Sequence, residues 1–260
     1  EEYEKQYIED SQLGEGGYGT VYSGYRRHDL FPVAIKHIDK DMVKFQPVVI
    51  NGEERCAPLE MVLMTMAARD SVGENAAVSP LAWTDLDYEV LLIMERPNYC
   101  MSLFDFNNGQ IEERLAKEFM RQLVEAAIEI HKAGIFHRDL KAENLLLQFY
   151  DAWRIPRVRV IDFGCGCGHF NSKPFSFLTG THCFRPPEVD HGEYAGPTTV
   201  WQLGCILLQL LSVNTDFFRA NGHFSLRLPS SDCKKFLMSC LLVNPDQRLT
   251  LGQMLCHPWF

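Results

Sequence analysis

Residues 137–144 of the chain read HRDLKAEN, and residues 162–164 read DFG. Phosphoryl transfer needs a carboxylate that orients the attacking hydroxyl, a cation near the moving phosphoryl group and oxygen ligands for magnesium. The two motifs offer all of these, which predicts Asp139, Lys141 and Asn144 as catalytic residues. Asn144 and Asp162 are the predicted metal ligands. Fragments of either motif occur by chance in many proteins, whereas both motifs in this order favour a phosphotransfer site.

A glycine-rich run, GEGGYGTV, occupies residues 14–21. Dinucleotide-binding proteins place similar glycines at the start of a helix, but residues 21–25 show the alternation and the β-branched and aromatic residues of a strand. We therefore expect a hairpin whose backbone approaches phosphates. Lys36 ends the apolar strand at residues 33–36. In isolation it would be read as a surface lysine at a strand edge; with the other motifs it is the predicted ligand of the α- and β-phosphates.

These motifs together resemble the eukaryotic protein kinase domain, and the resemblance covers residues 14–260. Finer features resemble the Pim family of serine/threonine kinases. Most kinases carry an aspartate directly before the Val-Trp pair that opens a long helix, whereas Pim kinases lack it, and here Thr199 stands at that position. The other Pim-like motifs are VAIKH at residues 33–37, PLE at 58–60, ERP at 95–97, LFDF at 103–106 and PPE at 186–188.

The resemblance implies an α+β, bilobal protein kinase fold, with residues 1–260 forming one domain. Residues 1–96 would be a small N-lobe, with an antiparallel β-sheet and one regulatory helix. Residues 97–260 would be a larger, mainly α-helical C-lobe. The hydrophobic pattern itself predicts strands near residues 7–13, 20–25, 33–38, 78–83 and 89–94. It predicts helices at residues 58–68, from residue 112 onward, and near 201–211, 232–240 and 251–256.

The resemblance also implies ATP and Mg²⁺ as the nucleotide and the cofactor. Glu60 is expected to pair with Lys36, since Glu53 and Glu54 fall in a loop-like run and should be solvated. Pro97 has no N–H, so one of the two usual hinge hydrogen bonds to adenine should be missing. The predicted ATP-binding residues are Leu13, Gly14, Glu15, Gly16, Gly17, Tyr18, Gly19, Thr20, Val21, Ala34, Lys36, Glu60, Met94, Glu95 and Leu146.

Features of the second half resemble serine/threonine rather than tyrosine kinases. Lys141 lies two residues after Asp139, and a Gly-Thr pair at residues 180–181 precedes the PPE motif. Thr181 is expected to bond Asp139 and Lys141. A further expected contact is a structural ion pair between Glu188 and Arg248.

Peptide preference carries over from the Pim kinases in part. Those kinases favour arginines upstream of the phosphorylated residue, and Asp105 and Glu143 match two of the carboxylates that bind them. Ser102, Ala142 and Asn214 stand where the family has aspartates. We therefore expect protein substrates with Ser or Thr near basic residues, and a shallower preference than that of the family.

The expected activation loop includes residues 175–180, FSFLTG, which contain no carboxylate. An arginine beside the catalytic aspartate, here Arg138, usually needs an anion from this loop. Pim kinases are active without loop phosphorylation, so the resemblance implies constitutive activity with the loop ordered by aromatic packing. Phosphorylation of Thr179 or Ser176 is the alternative.

Two other functions stay open at this point: a nucleotide-binding pseudokinase without turnover, and a kinase of small molecules. The PPE motif at residues 186–188 argues against a small-molecule kinase. The intact catalytic set argues against a pseudokinase; it comprises Lys36, Glu60, Asp139, Lys141, Asn144 and Asp162.

Length, composition and charge restrict the fold and the partners that we expect for this chain. The chain has 260 residues, of which 46% are hydrophobic, enough for a large core in one bilobal domain. The net charge of −9 gives no basic surface for nucleic acid or for an anionic membrane. We expect a monomer with neither kind of partner. The first residue is not methionine, so we expect a domain cut from a longer chain.

Nine cysteines are scattered without the spacing of a disulfide framework. An odd count and this scatter favour reduced thiols and a cytoplasmic location, with a nuclear one also open. The one local cluster, CGCGH at residues 165–169, directly follows the DFG motif. We interpret it as the start of an activation loop rather than a metal site, which would need a fourth ligand and a rigid frame.

Overall fold

The computed structural model describes residues 2–17, 19–50, 52–68, 72–107, 111–168, 181–190, 195–211 and 230–260. Packing divides the chain into two compact units. The first comprises Glu1–Tyr99 and Asp162–Gly164, and the second comprises Cys100–Ile161 and Cys165–Phe260. The DFG segment thus packs with the first unit, although about sixty residues separate it from the rest of that unit along the chain.

The first unit is built on an antiparallel sheet in which the strands lie in the order β1-β2-β3-β7-β6. Strands β4 and β5 form a separate hairpin that leads into helix α2. A short helix, α1, precedes the sheet and adds to the single helix that the sequence predicted. The elements are α1 Glu2–Gln6, β1 Tyr7–Gly16, β2 Gly19–Arg26, β3 Phe31–Asp39, β4 Phe45–Ile50, β5 Glu53–Pro58, α2 Leu59–Ala68, β6 Pro80–Asp85 and β7 Glu89–Glu95.

Strand β3 has two buried faces with different tasks. Successive side chains of a strand point to opposite sides of the sheet. Val33 and Ile35 therefore share one face, where they join Tyr7, Leu91 and Ile93 in a core cluster. The intervening residues of β3, Ala34 and Lys36, lie on the opposite face. The alternation thus separates the packing residues of this strand from its predicted nucleotide-binding residues.

The hairpin β4–β5 corrects two details of the sequence prediction. Residues 51–55 were predicted as a loop, but strand β5 begins at Glu53 and pairs with β4. Glu53 and Glu54 are exposed, as expected. The helix predicted from residue 58 begins at Leu59, because Pro58 still pairs with Phe45 in the hairpin.

Most of the glycine-rich run belongs to the two strands of a hairpin. Strand β1 continues to Gly16, which pairs with Gly19 at the start of β2. Gly19 has a positive φ of 123°, and a Cβ atom there would lie 2.0 Å from the carbonyl oxygen of His37. Glycine is therefore required at this position by the close approach of β3.

The second unit is mainly helical and contains short strands that the sequence prediction missed. Strands β11, β10 and β8 form one small sheet, and β12 pairs with β9. The elements are β8 Cys100–Ser102, α3 Leu103–Phe106, α4 Glu113–Lys132, β9 Ile135–Phe136, β10 Leu145–Gln148, β11 Arg157–Val160, β12 Cys167–Gly168, α5 Ala195–Leu211, α6 Ser231–Cys240 and α7 Leu251–Leu255.

Helix α4 confirms the predicted amphipathic pattern. Its apolar residues recur every three to four positions, so they line one face of the helix. The buried residues of this face are Ala116, Phe119, Met120, Leu123, Val124, Ala126, Ala127 and Ile130. Helix α5 begins earlier than predicted, at Ala195. Gly204 of α5 lets α6 approach closely, since a Cβ there would lie 2.9 Å from the Cβ of Cys240.

Three cysteines belong to the core of this unit. Burial raises the pKa of the Cys205 and Cys233 thiols to about 12, and it also raises the pKa of Cys240. These thiols stay protonated and pack as small apolar groups. Cys165 and Cys167 are buried as well, whereas His169 lies outside the described residues. Within the described ranges, no helix is long and apolar enough to cross a membrane.

Arg248 and Glu188 form the predicted ion pair. Nη2 of Arg248 lies 2.6 Å from Oε2 of Glu188, and Nη1 contacts Oε1. The guanidinium also donates to the carbonyl oxygens of Leu242 and Pro197 and lies over the ring of Trp201. Both ionic side chains are almost completely buried, so each depends on the other for charge compensation.

We expect Glu188→Ala to destabilise the second unit by about 3–5 kcal/mol, since it leaves the Arg248 charge buried and unpaired. The matched control is Asp232→Ala. Its pair with Lys235 is solvent-exposed and should contribute only about 0–1 kcal/mol. Urea unfolding followed by circular dichroism measures both variants. Equal losses in the two would contradict this assignment.

Candidate active site

The first unit brings three predicted charged residues together. Nζ of Lys36 lies 2.9 Å from both carboxylate oxygens of Glu60 and 2.9 Å from Oδ1 of Asp162. Strand β3 supplies the lysine, α2 the glutamate and the DFG segment the aspartate. The prediction that Glu60 is the ion-pair partner of Lys36 is confirmed. The expectation that Lys36 ends its strand is wrong, because β3 runs on to Asp39.

Burial sets the electrostatics of this cluster. The side chains of Lys36 and Glu60 are 6% and 8% exposed, whereas that of Asp162 is 27% exposed. Burial by itself would lower the pKa of Lys36, but the two carboxylates outweigh it and raise that pKa. Burial raises the pKa of Glu60 and the nearby Asp162 adds to the rise, while Lys36 opposes both. One ammonium between two carboxylates leaves a net negative charge when all three are ionised.

The DFG segment is shaped around this cluster. Asp162 has a positive φ of 64°, which is strained for a residue with a side chain. The N–H of Gly164 donates to Oδ1 of Asp162 at 3.3 Å. A Cβ on Gly164 would lie 3.2 Å from that oxygen and 3.5 Å from Nζ of Lys36. Glycine at residue 164 thus leaves space for the ion-pair geometry.

The predicted adenine residues of the first unit lie on one face of the sheet. Ala34 pairs with Met94, and Lys36 pairs with Val21, so directly opposed side chains share a face. The side chain of Glu95 has a separate task that the sequence did not reveal, because its Oε1 accepts the N–H of Ser79 at 2.7 Å.

The predicted phosphate-binding glycines differ in whether packing requires a residue without a side chain. Gly19 is required by packing, as described above. A Cβ on Gly14, Gly16 or Gly17 would meet no atom within 4 Å, so packing among the described residues does not explain glycine there. Tyr18 lies outside the described residues, and Leu13 is 53% exposed. The other predicted residues of this hairpin lie on strands β1 and β2: Glu15, Thr20 and Val21.

The second unit brings together the predicted catalytic residues of the segment 137–144, which we call the catalytic loop. Oδ1 of Asp139 accepts the N–H of Thr181 at 2.8 Å, and Oδ2 lies 3.1 Å from Nζ of Lys141. Nζ of Lys141 donates to Oγ1 of Thr181 at 2.7 Å. The prediction that Thr181 bonds both residues is confirmed. The Asp139 side chain is only 3% exposed and that of Lys141 is 20% exposed.

Asn144 completes this arrangement. Its Nδ2 donates to the carbonyl oxygen of Asp139 at 2.9 Å and to Oδ2 at 3.3 Å. The side-chain nitrogen of Asn144 therefore bonds the loop, and the side-chain oxygen takes no part in these two bonds. Amide and carboxylate oxygens, such as those of Asn144 and Asp162, are ligands of the type that Mg²⁺ and other hard cations prefer. Leu146, the remaining predicted ATP residue, lies on β10.

The backbone of the catalytic loop is strained and internally bonded. Arg138 has a positive φ of 68°. His137 is buried, with Nε2 2.9 Å from the carbonyl oxygen of Ile161 and Nδ1 3.4 Å from the N–H of Asp139. These partners call for a proton on Nε2 and an acceptor at Nδ1, which is the neutral imidazole. His137 therefore ties the segment before Asp139 to the backbone of Ile161 and to the Asp139 N–H.

The two predicted peptide-binding carboxylates are both exposed, Asp105 on α3 and Glu143 in the short turn at residues 142–144. Ser102 caps α3 by accepting the N–H of Asp105, and its hydroxyl donates to Oδ2 of that residue. Asn214 and the expected activation-loop residues 175–180 lie outside the described residues.

Sequence reasoning missed one buried polar residue close to the catalytic loop. The amide of Gln202, on α5, bonds the backbone of Arg138 and Leu140. The available signal was a glutamine within the apolar run at residues 200–213. Such a residue is costly to bury unless its amide is hydrogen-bonded.

Residues 7–260 match the protein kinase domain family. The chain belongs to the protein kinase family. This kinase is 37% identical to serine/threonine-protein kinase pim-2 of Danio rerio over 273 aligned residues. The alignment covers all of the chain and 86% of that protein. It is 32% identical over 270 residues to serine/threonine-protein kinase prk-2 of Caenorhabditis elegans, which covers 99% of the chain and 58% of that protein.

A third relative is NUAK family SNF1-like kinase 1 of Homo sapiens, 30% identical over 262 residues, with 95% of the chain and 37% of that protein covered. The kinase thus spans most of the first relative and a smaller part of the other two. The resemblance to the Pim kinases and the bilobal kinase fold are confirmed by these matches. Membership of the family implies ATP, a divalent metal ion and protein substrates.

We expect Lys36→Met to lower the free energy of unfolding by about 3 kcal/mol or more, because it strands the Glu60 carboxylate in a buried site. Without its cation, Glu60 will have a folded-state pKa still further above its unfolded value. Stability linked to such a group is present at low pH and is lost as pH rises. The unfolding free energy of the variant should therefore fall as the pH rises from about 5 toward neutrality, above the ordinary pKa of a glutamate.

The matched control is the double variant Lys36→Met, Glu60→Gln, which removes both charges of the pair. It should recover part of the lost stability and show a flatter pH dependence. Urea unfolding across this pH range measures both. A single variant as stable as the unmodified kinase would mean that Lys36 does not neutralise Glu60.

Proposed function

We propose that the chain is a serine/threonine protein kinase that transfers the γ-phosphoryl group of ATP, with Mg²⁺, to Ser or Thr hydroxyls of proteins. One observation carries the proposal: the buried carboxylate of Asp139 is held by the N–H of Thr181 beside the ammonium of Lys141. That arrangement offers a positioned acceptor for a hydroxyl proton and a cation next to it, which are the parts that phosphoryl transfer requires.

Each residue of the second unit has a distinct task in this proposal. Asp139 accepts and orients the substrate hydroxyl. Lys141 balances charge on the moving phosphoryl group. Thr181 bonds both residues and so fixes their spacing. Asn144 steadies Asp139 through its nitrogen and offers its oxygen to a metal ion.

The first unit would bind the nucleotide. Lys36 is held by Glu60 and Asp162 in an orientation suited to the α- and β-phosphates. Asp162 would bind the metal, and its partly exposed side chain supports this task. The backbone at Gly14, Gly16 and Gly17 would lie against the phosphates, which explains glycines that packing does not require. When bound, the metal ion supplies neutralisation of phosphate charge.

The test is transfer of radiolabel from ATP and Mg²⁺ to an arginine-rich peptide library. We expect phosphate on Ser and Thr, and Asp139→Asn should cut turnover by about 10²-fold or more, the usual cost of losing a general base. ATP binding, measured by calorimetry, should stay nearly unchanged. The control Asp232→Asn alters an exposed carboxylate of α6 and should keep full activity.

Wild-type turnover in Asp139→Asn would remove Asp139 from this role. A kinase that binds ATP but labels no peptide would instead be a nucleotide-binding pseudokinase. We also propose that the kinase is active without activation-loop phosphorylation, so phosphatase-treated enzyme belongs in the same assay. Loss of turnover after that treatment would contradict this part of the proposal.

We further propose a preference for basic residues upstream of the phosphorylated Ser or Thr. Exposed carboxylates at Asp105 and Glu143 support it, as does the net charge of −9. The proposal extends to a monomeric protein of the cytoplasm or nucleus, without nucleic-acid or membrane partners.

Asp105→Asn and Glu143→Gln should each raise KM for an arginine-containing peptide by about two- to fivefold, as expected for one solvent-exposed ion pair. KM for the same peptide with alanine in place of arginine should not change, and kcat should be kept for both. If KM for the two peptides rises equally, the carboxylates do not read arginine.

A further inference from the structure

Gln202 bonds the backbone on both sides of Asp139. Its Nε2 donates to the carbonyl oxygen of Arg138 at 2.8 Å, and its Oε1 accepts the N–H of Leu140 at 3.4 Å. Gln202 lies on α5 and is 3% exposed. The shorter bond is the stronger one, since well-formed N–H···O bonds cluster near 2.9 Å. Asp139 thus lies between two residues, Arg138 and Leu140, whose backbone groups both bond the side chain of Gln202.

The partners determine the orientation of this amide. A carbonyl oxygen can only accept, and a backbone N–H can only donate. If the amide were turned over, its oxygen would face the Arg138 carbonyl and its NH₂ group would face the Leu140 N–H. Both contacts would then be repulsive. The observed orientation of the Gln202 amide is therefore the one that satisfies both backbone groups.

The backbone that Gln202 holds is strained. Arg138 occupies the left-handed region with φ of 68°, which a residue with a side chain adopts only when its surroundings impose it. The bond to the Arg138 carbonyl oxygen is one such restraint. Among the described residues, the contact of the Asp139 N–H is a long one, 3.4 Å to Nδ1 of His137. Gln202 therefore contributes directly to the position of the peptide units that carry Asp139.

Packing alone does not explain a glutamine at residue 202. Its neighbours on α5 are apolar and fully buried, among them Val200, Leu203 and Ile206. A leucine would fill a similar volume without the cost of burying an amide. The amide is compensated by the two bonds to the catalytic loop.

We propose that Gln202 is a positioning residue for phosphoryl transfer, which clamps residues 138–140 and so sets where the Asp139 carboxylate points. The inference rests on the proposed kinase activity. Because Gln202 is buried and bonds the loop backbone, it would act through that backbone and not by touching nucleotide or peptide. Its loss should therefore lower kcat while KM for ATP is kept, a division that loss of nucleotide binding would not produce.

The test compares Gln202→Leu with Gln209→Leu by steady-state kinetics. Gln209 lies two turns further along α5, and its buried Oε1 has no hydrogen-bond partner among the described residues, so the same substitution there removes no contact with the loop. We expect kcat of Gln202→Leu to fall about tenfold or more, since small misplacements of catalytic groups are costly. Gln209→Leu should keep full turnover. Gln202→Met, which is unbranched, replaces the leucine variant if that one does not fold.

Hydrogen exchange separates failure of this inference from failure of the proposed function. The Leu140 amide should exchange faster in Gln202→Leu than in Gln209→Leu, whether or not the kinase is active. If the kinase phosphorylates peptide and both variants keep full kcat, Gln202 is not a positioning residue. If no form of the kinase is active while Leu140 exchange still rises, the clamp stands and the proposed function fails. Unchanged exchange at Leu140 overturns the clamp.

Discussion

The buried ammonium of Lys36 is the constraint on which the first unit depends. A buried charge is tolerated only when it is paired and hydrogen-bonded, and here the partners are Glu60 and Asp162, 24 and 126 residues away along the chain. To bring the three groups within 2.9 Å, strand β3, helix α2 and the DFG segment must each take one position. This requirement explains why residues 162–164 pack with the first unit.

In the second unit the buried charge that must be compensated is an anion. The carboxylate of Asp139 would be costly to bury alone, and it is compensated by a backbone N–H, an ammonium and a side-chain amide. These donors come from Thr181, Lys141 and Asn144. Arg138 and Asp162 each have a positive φ, so both units store backbone strain next to a charged group. Strain of this kind persists where the surroundings over-determine the conformation.

The same need for compensation applies to other buried polar side chains. Gln202 and Gln209 stand on the same helix in similar sequence surroundings, yet only Gln202 bonds the catalytic loop in the described structure. The Arg248–Glu188 pair shows the same principle on a larger scale, since two ions can share a dry interior when each completes the other. In both cases the packing of distant segments decides whether a buried polar group is compensated.

The sequence by itself determined the protein kinase family and most of the regular elements, and it predicted the catalytic residues. Phosphoryl transfer admits few side-chain types, and these lie at short, local spacing in residues 137–144 and 162–164. Helix α4 was predictable because its apolar period is local as well. The tertiary structure decided the rest: that β5 forms where residues 51–55 read as a loop, that Lys36 is buried within its strand, that Glu95 bonds Ser79 and that Gln202 bonds the loop. Apart from the β4–β5 hairpin, whose strands are adjacent along the chain, these features depend on groups that are far apart in the sequence. No local pattern predicts such contacts, because burial and hydrogen-bond compensation arise only when distant segments pack.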